Sequence, residues 1–284
     1  MDTPWRQLNV AFPHWATAEH TALTHLAPRM AAAETEGLIA AWFFIRKAPC
    51  WRIRYQPADD PTKTETQLLR EIGRLQQEGH ISALTPVIYE PEVHAFGGPQ
   101  AMATAHRLFH LDSHHFLDHL TQNPGDGHRR ELSILLYTAM LRAAGLDWYE
   151  QGDVWARVAD HRDPPQPPPA HRLRNLQAGL RRIMGADITC LTRESATLTV
   201  AATWPQAFTT AGRELADLAM AGRLHRGLRA VLAHHIIFAW NRLGLPHTAQ
   251  SILATTAKAI VFGPPDANTE QEPREGQTWP PAAR

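Results

Sequence analysis

The first ninety residues carry two kinds of apolar periodicity in a fixed order, and this order limits the possible folds. Alternating or β-branched apolar runs predict strands in WRQLNVAF, LIAAWFFIR, CWRIRY and ISALTPVIYE. Helical spacing predicts one helix in ATAEHTALTHLAPRMAAAETEG, interrupted by Pro28 and ended by Gly37, and a second in TQLLREIGRLQQEGH. The resulting βαββαβ order predicts a ferredoxin-like lobe, in which two helices cover one face of a four-stranded antiparallel sheet.

The chain changes character after residue 98. Apolar residues recur at helical spacing in six later segments, which predicts a mainly helical lobe at 99–263 packed on the first lobe at 1–98. The proline run RDPPQPPPAH propagates neither helix nor sheet, so a stiff connection is expected near 163–170. The polar, proline-rich stretch 264–284 predicts a disordered tail. The predicted fold class is therefore α+β.

Composition excludes several functional classes. The 284 residues include 28 basic and 28 acidic side chains, so no net field attracts nucleic acid or an anionic membrane. The two cysteines, Cys50 and Cys190, lack zinc-site spacing and suit a reducing compartment. No apolar run approaches the ~20 residues of a membrane span, and the N-terminus lacks a signal-peptide core. We expect a cytoplasmic protein that contacts neither membrane nor nucleic acid directly.

The strand CWRIRY places two arginines on one face of the predicted sheet. Side chains alternate along a strand, so Arg52 and Arg54 project opposite to the apolar residues, ~6.6 Å apart along the chain. Guanidinium groups are planar donors that match a carboxylate or phosphate. A solvated outer face would show the same pattern, and an anion site requires that the helical lobe cover this face.

Four segments occur in an order that resembles a known family: WFFIRKAPCWRIRY, IYEPEVHAFGG, MATAHRLFHLDSHHFLDHL and FAWNRLGL. Together they resemble the thiopeptide-type bacteriocin biosynthesis family, related to the C-terminal glutamate-elimination domain of class I lanthipeptide dehydratases. The resemblance implies a carbon–oxygen lyase without a cofactor. Its substrate would be a ribosomal precursor peptide, with leader and core, whose serine or threonine has been glutamylated from glutamyl-tRNA. Expulsion of glutamate leaves dehydroalanine or dehydrobutyrine.

The resemblance also implies where substrate binds. Arg52 and Arg54 match the family's Arg-x-Arg strand motif, and the resemblance assigns them to glutamate recognition. The related dehydratases carry a further arginine before an aromatic-Gly-Gly turn, where this chain has Ala95. His94 and His106 are the substrate-binding candidates that could compensate, and surface histidines are the alternative.

A late helix is expected to supply the base. The related dehydratases place a histidine four residues before the asparagine of Asn-Arg-Leu, and this chain has Ile237 there. His234 shares a helix face with Asn241, and His235 shares one with Arg242. We therefore assign His234, His235 and Arg242 to catalysis and Asn241 to substrate binding, while a structural role for either histidine stays open.

The segment HLDSHHFLDH also has the spacing of metal ligands. Four histidines form two pairs at i and i+4: His110 with His114, and His115 with His119. Asp112 and Asp118 could join them, yet the chain lacks HExxH, and the family that it resembles uses no metal. We expect a polar helix face and no metal, with Asp112 and Ser113 in structural roles.

Three functions remain open at this stage. The first is a glutamate-eliminating lyase that works with a separate glutamyl-tRNA-dependent glutamylation subunit. The second is a pyridine synthase of the same superfamily, which joins two dehydroalanines by a formal aza-[4+2] cycloaddition to form a thiopeptide macrocycle. The third is a noncatalytic scaffold that binds the leader peptide by strand addition. The paired Arg52 and Arg54 favour elimination, because a cycloaddition has no glutamate to hold.

Overall fold

A computed structural model describes residues 5–123, 125, 128–163, 168–186 and 202–263. The expected tail at 264–284, Cys190 and the centre of the proline run therefore lie outside the described residues. Cys50 carries a free thiol. Within the described ranges, no helix combines the length and the apolar character needed to cross a bilayer.

Four strands form one antiparallel sheet. They are β1 (Arg6–Ala11), β2 (Ile39–Lys47), β3 (Cys50–Pro57) and β4 (Ala83–Val87). Their order across the sheet is β2-β3-β1-β4, and each neighbouring pair is antiparallel. The sheet and the helix-rich remainder confirm the α+β class.

Two helical segments cover one face of the sheet. The first passes from a 3-10 turn (Trp15–Thr17) into α1 (Ala18–Thr21), a π turn (Ala22–Leu26) and α2 (Ala27–Thr35). Pro28 lies in the first turn of α2, directly after the π turn, and has no amide hydrogen to donate to the preceding turn. The second, α3 (Pro61–Gln77), begins at Asp60, whose carboxylate accepts from the amides of Thr62 and Lys63.

Seven helices follow the sheet in the described ranges. They are α4 (Pro99–Gln122), α5 (Arg129–Ala143), α6 (Trp148–Asp160), α7 (Ala170–Gly185), α8 (Thr203–Met220), α9 (Leu228–Leu243) and α10 (His247–Phe262). The sequence patterns predict all except α7. This helix is rich in arginine and buries only Leu180, Ile183 and Met184, so its apolar stripe is short.

The sheet has apolar clusters on both faces. Trp51, Ile53 and Tyr55 belong to the main core, on the face covered by α2 and α3. On the opposite face, Phe43 and Ile45 pack against Phe96 and against Met102, Ala105 and Phe109 of α4, with Phe238 of α9 beside them. The helical part of the chain therefore covers the face from which the paired arginines project.

Candidate active site

Strand register places polar side chains on the covered face of the sheet. Arg54 pairs with Gln7 of β1 on one side and with Phe43 of β2 on the other. Arg52 pairs with Asn9, so all of these side chains share the face opposite to Trp51 and Ile53. Arg54 is 7% exposed, whereas Arg52 is half-buried. The covering helices thus close over Arg54 and leave Arg52 nearer to solvent.

Arg54 is held by one hydrogen bond and by aromatic rings. Its Nε donates to Oε1 of Gln7 at 2.8 Å, and its guanidinium carbon lies 4.6 Å from the Tyr89 ring centroid. No described residue accepts a hydrogen bond from its two terminal nitrogens. Burial lowers the pKa of Arg54 from its usual value. The ordinary pKa of arginine is so high that the side chain nevertheless stays protonated at neutral pH. The site therefore contains a buried cation with unused donors.

His106 lies beside Arg54. Burial, together with the charge of Arg54, lowers the pKa of His106 to about 4, so the imidazole is neutral at pH 7. Burial raises the pKa of Tyr89 to about 12, so its hydroxyl keeps its proton at pH 7. The Tyr89 hydroxyl and Nε2 of His106 form a hydrogen bond of 2.9 Å. The ring of Trp5 packs on His106 at 4.5 Å. These two rings also line a cavity of about 630 Å³ between α4 and β2.

His94 and His106, the two candidates to compensate for the arginine that Ala95 replaces, lie in different surroundings. His106 contacts the Arg54 cluster, whereas the side chain of His94 is exposed on the turn before α4. A guanidinium nevertheless reaches this turn, because Nη1 of Arg226 donates to the carbonyl of Ala95 at 2.9 Å. Lys47 adds a further cation on the arginine face of the sheet, opposite Cys50. Sequence reasoning missed Arg226 and Lys47.

The expected turn at Gly97 and Gly98 is present. Both residues have positive φ, +91° and +108°, and Gly98 precedes the first residue of α4. A Cβ at Gly97 would lie 2.6 Å from Leu224, so the turn also requires a small residue. The turn thereby places Phe96 beneath α9.

The two adjacent histidines of α9 have different surroundings. Nε2 of His234 lies 2.9 Å from Oε2 of Glu92, and this hydrogen bond is the main cause that lowers the pKa of Glu92. His235 is fully buried against Phe96 and Phe109, and both of its ring nitrogens lack a hydrogen-bond partner in the described structure. Burial lowers the pKa of His235 to about 3. His234 alone of the two lies next to an acid and to accessible space.

Arg242 lies in a buried network that joins α9 to α4 and β2. Its Nη1 forms an ion pair with Asp112, and its Nε donates to the carbonyl of Phe44 at 3.2 Å. Nε1 of Trp204 donates to the same carboxylate at 2.9 Å. The amide of Phe44 donates to Oγ of Ser113 at 3.4 Å. Side chains of α9 and α4 thus bind the amide and the carbonyl of Phe44 on the outer edge of strand β2.

Asn241 lies apart from the Arg54 cluster. Its Oδ1 accepts from Nε2 of Gln250 at 3.3 Å. It lines a separate cavity of about 580 Å³ with Lys47 and Arg162. Ile45 and Lys47 line this cavity and also belong to the arginine face of the sheet.

The histidines of α4 divide between two environments. His110 and His114 meet Glu34 of α2, and this is the arrangement among the described residues that could hold a metal ion. The ring of His115 stacks near Trp204 instead. The carboxylate next to His110 and His114 comes from Glu34. Asp112 and Asp118 do not belong to this possible metal site.

Solved structures share this fold. The tRNA-dependent lantibiotic dehydratase MibB from Microbispora sp. 107891 is 19% identical with a TM-score of 0.64, over 92% of this chain and 28% of MibB. TsrL is 16% identical with a TM-score of 0.53, over 93% of this chain and 100% of TsrL. TbtD, the pyridine synthase from thiomuracin biosynthesis, is 15% identical with a TM-score of 0.56, over 91% of this chain and 99% of TbtD.

Identities this low establish the common fold and not a common activity, and the chain spans only 28% of MibB. No curated protein matches the chain. A family model described as the C-terminal part of lantibiotic biosynthesis dehydratases matches residues 5–261. Because this match covers nearly the whole chain, the protein belongs to the lantibiotic biosynthesis dehydratase C-terminal family.

Proposed function

We propose that this protein eliminates glutamate from glutamylated serine or threonine residues of a ribosomal precursor peptide, leaving dehydroalanine or dehydrobutyrine. The observation that carries the proposal is the state of Arg54. The Arg54 side chain lies on a covered sheet face, next to Arg52, and its terminal nitrogens reach accessible space and have no acceptor among the described residues. A guanidinium that keeps two donors available in a largely covered site is suited to bind a carboxylate, so a bound anion is the expected partner.

The glutamyl group offers a suitable anion. The leaving glutamate carries carboxylates, to which a guanidinium donates two parallel hydrogen bonds. Arg52 and Arg54 would hold it from one side, and Lys47 adds positive charge on the same face. The cations stabilise the negative charge that develops on the leaving group as the Cβ–O bond breaks.

His234 is the preferred base. Elimination requires removal of the Cα proton; the electron pair forms the Cα–Cβ double bond, and glutamate departs with the oxygen. The carboxylate of Glu92, 2.9 Å from His234, would stabilise the imidazolium that forms. His235 is enclosed by aromatic rings and has a pKa of about 3, which makes it a poor acceptor for this proton.

The proposal includes partners and architecture. The substrate is the precursor peptide with leader and core, and a separate glutamyl-tRNA-dependent subunit supplies its glutamyl ester, because elimination consumes that ester. The reaction would take place in the cytoplasm. A ferredoxin-like first lobe is part of the proposal, supported by the βαββαβ order and the strand order β2-β3-β1-β4.

Cycloaddition is the second candidate. Its support is the structural similarity to the pyridine synthase TbtD, which extends over 99% of that protein. The same face of the sheet would then bind a dehydrated peptide, and Arg54 would contact a peptide carbonyl or carboxylate. The substrate state therefore separates the two functions: elimination consumes a glutamylated peptide, and cycloaddition consumes a dehydrated one.

Mass spectrometry of peptides incubated with the purified protein tests the proposal. We expect wild-type protein and the exposed control Arg70→Ala to release glutamate and form dehydroamino acids. An Arg52→Ala/Arg54→Ala variant should lose this activity, and Arg54→Lys should lose most of it, because lysine lacks the planar fork. If wild-type protein leaves the glutamylated peptide intact but forms a pyridine ring from dehydrated peptide, elimination is wrong and cycloaddition is correct.

A further inference from the structure

A second group of polar side chains lies where α2, β2 and α4 meet. Nε2 of His114 is 3.2 Å from one carboxylate oxygen of Glu34, and Nε2 of His110 is 3.5 Å from the other. One donor atom from each of the three residues lies within 4.8 Å of the others. None of the three contributes to the arginine cluster described above.

Neighbouring groups orient two of these side chains. Nδ1 of His110 lies 3.1 Å from the carbonyl oxygen of Trp42 and 3.3 Å from its amide nitrogen, so the Trp42 backbone holds the imidazole in either tautomer. The tautomer with its proton on Nδ1 leaves the Nε2 lone pair free for a metal ion. Nε1 of Trp42 donates to Oε2 of Glu34 at 3.1 Å. Metal-binding side chains are usually oriented by outer hydrogen-bond partners of this kind, among them backbone carbonyls.

The third side chain has an unused nitrogen. Nε2 of His114 is buried and makes no hydrogen bond within the described residues, although the Glu34 carboxylate is 3.2 Å away. Buried polar atoms without a partner are uncommon in native proteins and call for an explanation. A cation between the imidazole and the carboxylate would satisfy both groups.

We propose that Glu34, His110 and His114 bind a divalent transition metal of the Zn²⁺ class. Two imidazoles and one carboxylate are a donor set that Zn²⁺ accepts, with water in the fourth position. Tetrahedral bonds of about 2.0–2.1 Å separate neighbouring ligand atoms by ~3.4 Å. His114 lies 3.2 Å from one carboxylate oxygen and His110 lies 3.5 Å from the other, and one ligand atom from each residue lies within 4.8 Å of the others. A bound ion would draw these atoms together into this geometry.

The metal would have a structural role, as a link between α2 and α4. Glu34 lies near the end of α2, and both histidines lie on α4, one helical turn apart. The Trp42 backbone that orients His110 belongs to the outer strand β2. A metal that binds the folded chain and not the unfolded one adds its binding free energy to stability, so it would hold the helical part against the sheet. This role is independent of the peptide chemistry.

Titration of metal-free protein with Zn²⁺ tests the site, using calorimetry for stoichiometry and Co²⁺ absorption for tetrahedral geometry. We expect one strong site in wild-type protein and in the control His115→Ala, whose ring packs near Trp204. His114→Ala and Glu34→Gln should each weaken Zn²⁺ binding by more than the ~10–100-fold that loss of an outer partner costs.

Two results would overturn the proposed metal site. One is equal Zn²⁺ affinity in wild-type and His114→Ala proteins, and the other is a loss of affinity in His115→Ala as large as in His114→Ala. Both substituted histidines are partly exposed, so the variants should fold, and circular dichroism verifies this before titration. Zn²⁺ should also raise the melting temperature of wild-type protein and leave that of His114→Ala unchanged.

Discussion

Nε2 of His234 lies 2.9 Å from Oε2 of Glu92, and this contact joins residues that are 142 positions apart in the chain. It connects α9 to the segment that leads into the Phe96 turn. The positive charges of Arg54 and Lys47 also stabilise the Glu92 carboxylate and help to lower its pKa. A histidine, a carboxylate and the cationic face of the sheet therefore share one region.

This arrangement predicts which histidine acts in the proposed elimination. His234→Ala should lower the rate of glutamate release by ~10²–10⁴-fold, the usual contribution of a general base. Glu92→Gln should lower it less, because the imidazole remains. His235→Leu should stay within about tenfold of wild type, and a collapse of activity in this variant with full activity in His234→Ala would assign the base to His235.

Burial of His235 predicts a pH effect on stability. Its folded pKa of about 3 lies below the ordinary value of 6.5, so only the unfolded chain binds this proton between those pH values. The free energy of unfolding should therefore fall as the pH drops from 6.5 toward 3, by up to ~1.4 kcal/mol per pH unit from this residue. Urea denaturation at several pH values measures this slope.

His235→Leu should remove this residue's share of the slope. His106, with a folded pKa of about 4, retains its own share, so a smaller slope remains in the variant. Above pH 7 the variant should be as stable as wild type or more stable, since two buried nitrogens without partners are lost. Parallel curves for the two proteins would show that His235 binds protons equally in both states.

The sequence predicts one part of the site well. Period-two alternation places Arg52 and Arg54 on the same face with no knowledge of the rest of the fold, and the structure has them there. The sequence does not show which side chains lie over that face. Glu92 and His234, or Arg226 and Ala95, meet only because α9 folds back onto the turn before α4.

Buried charges mark another limit of what the sequence can predict. Arg242 follows Asn241 in a family motif, and sequence alone does not distinguish an arginine in a buried ion pair from one in a catalytic site. The structure places it against Asp112, from a segment 130 residues away. Similarly, the i, i+4 histidines were visible in the sequence, but Glu34, their carboxylate partner, comes from a helix before the sheet.

The ion pairs of Glu19 predict a second, more acidic transition. Burial would raise the pKa of Glu19, but hydrogen bonds from Arg129 and Arg46 and the charge of both outweigh it and lower the pKa to about 2. Because the folded pKa lies below the ordinary 4.5, this stabilisation is complete above pH 4.5 and disappears as the pH falls toward 2. The shift corresponds to about 3 kcal/mol.

Glu19→Gln tests that contribution. At pH 7 the variant leaves the buried guanidinium of Arg46 without its carboxylate, so we expect a loss of ~3–5 kcal/mol in the free energy of unfolding. Below pH 4.5 the difference between variant and wild type should shrink, because Glu19 of the unfolded wild-type chain takes up a proton while the folded carboxylate, with a pKa of about 2, does not. A difference that stays constant from pH 7 to pH 3 contradicts the assignment.

The Arg242–Asp112 pair predicts a stability effect in place of a catalytic one. Both side chains are almost completely buried, so Arg242→Met or Asp112→Asn alone leaves an unpaired charge and should cost ~3–5 kcal/mol. The double variant should cost less than the sum, because it leaves no buried charge, and the amide oxygen introduced at position 112 would still accept from Trp204. Chemical denaturation of the four proteins measures this coupling. Turnover by the folded fraction of Arg242→Met should remain within a few-fold of wild type; lost turnover with unchanged unfolding would place Arg242 in catalysis.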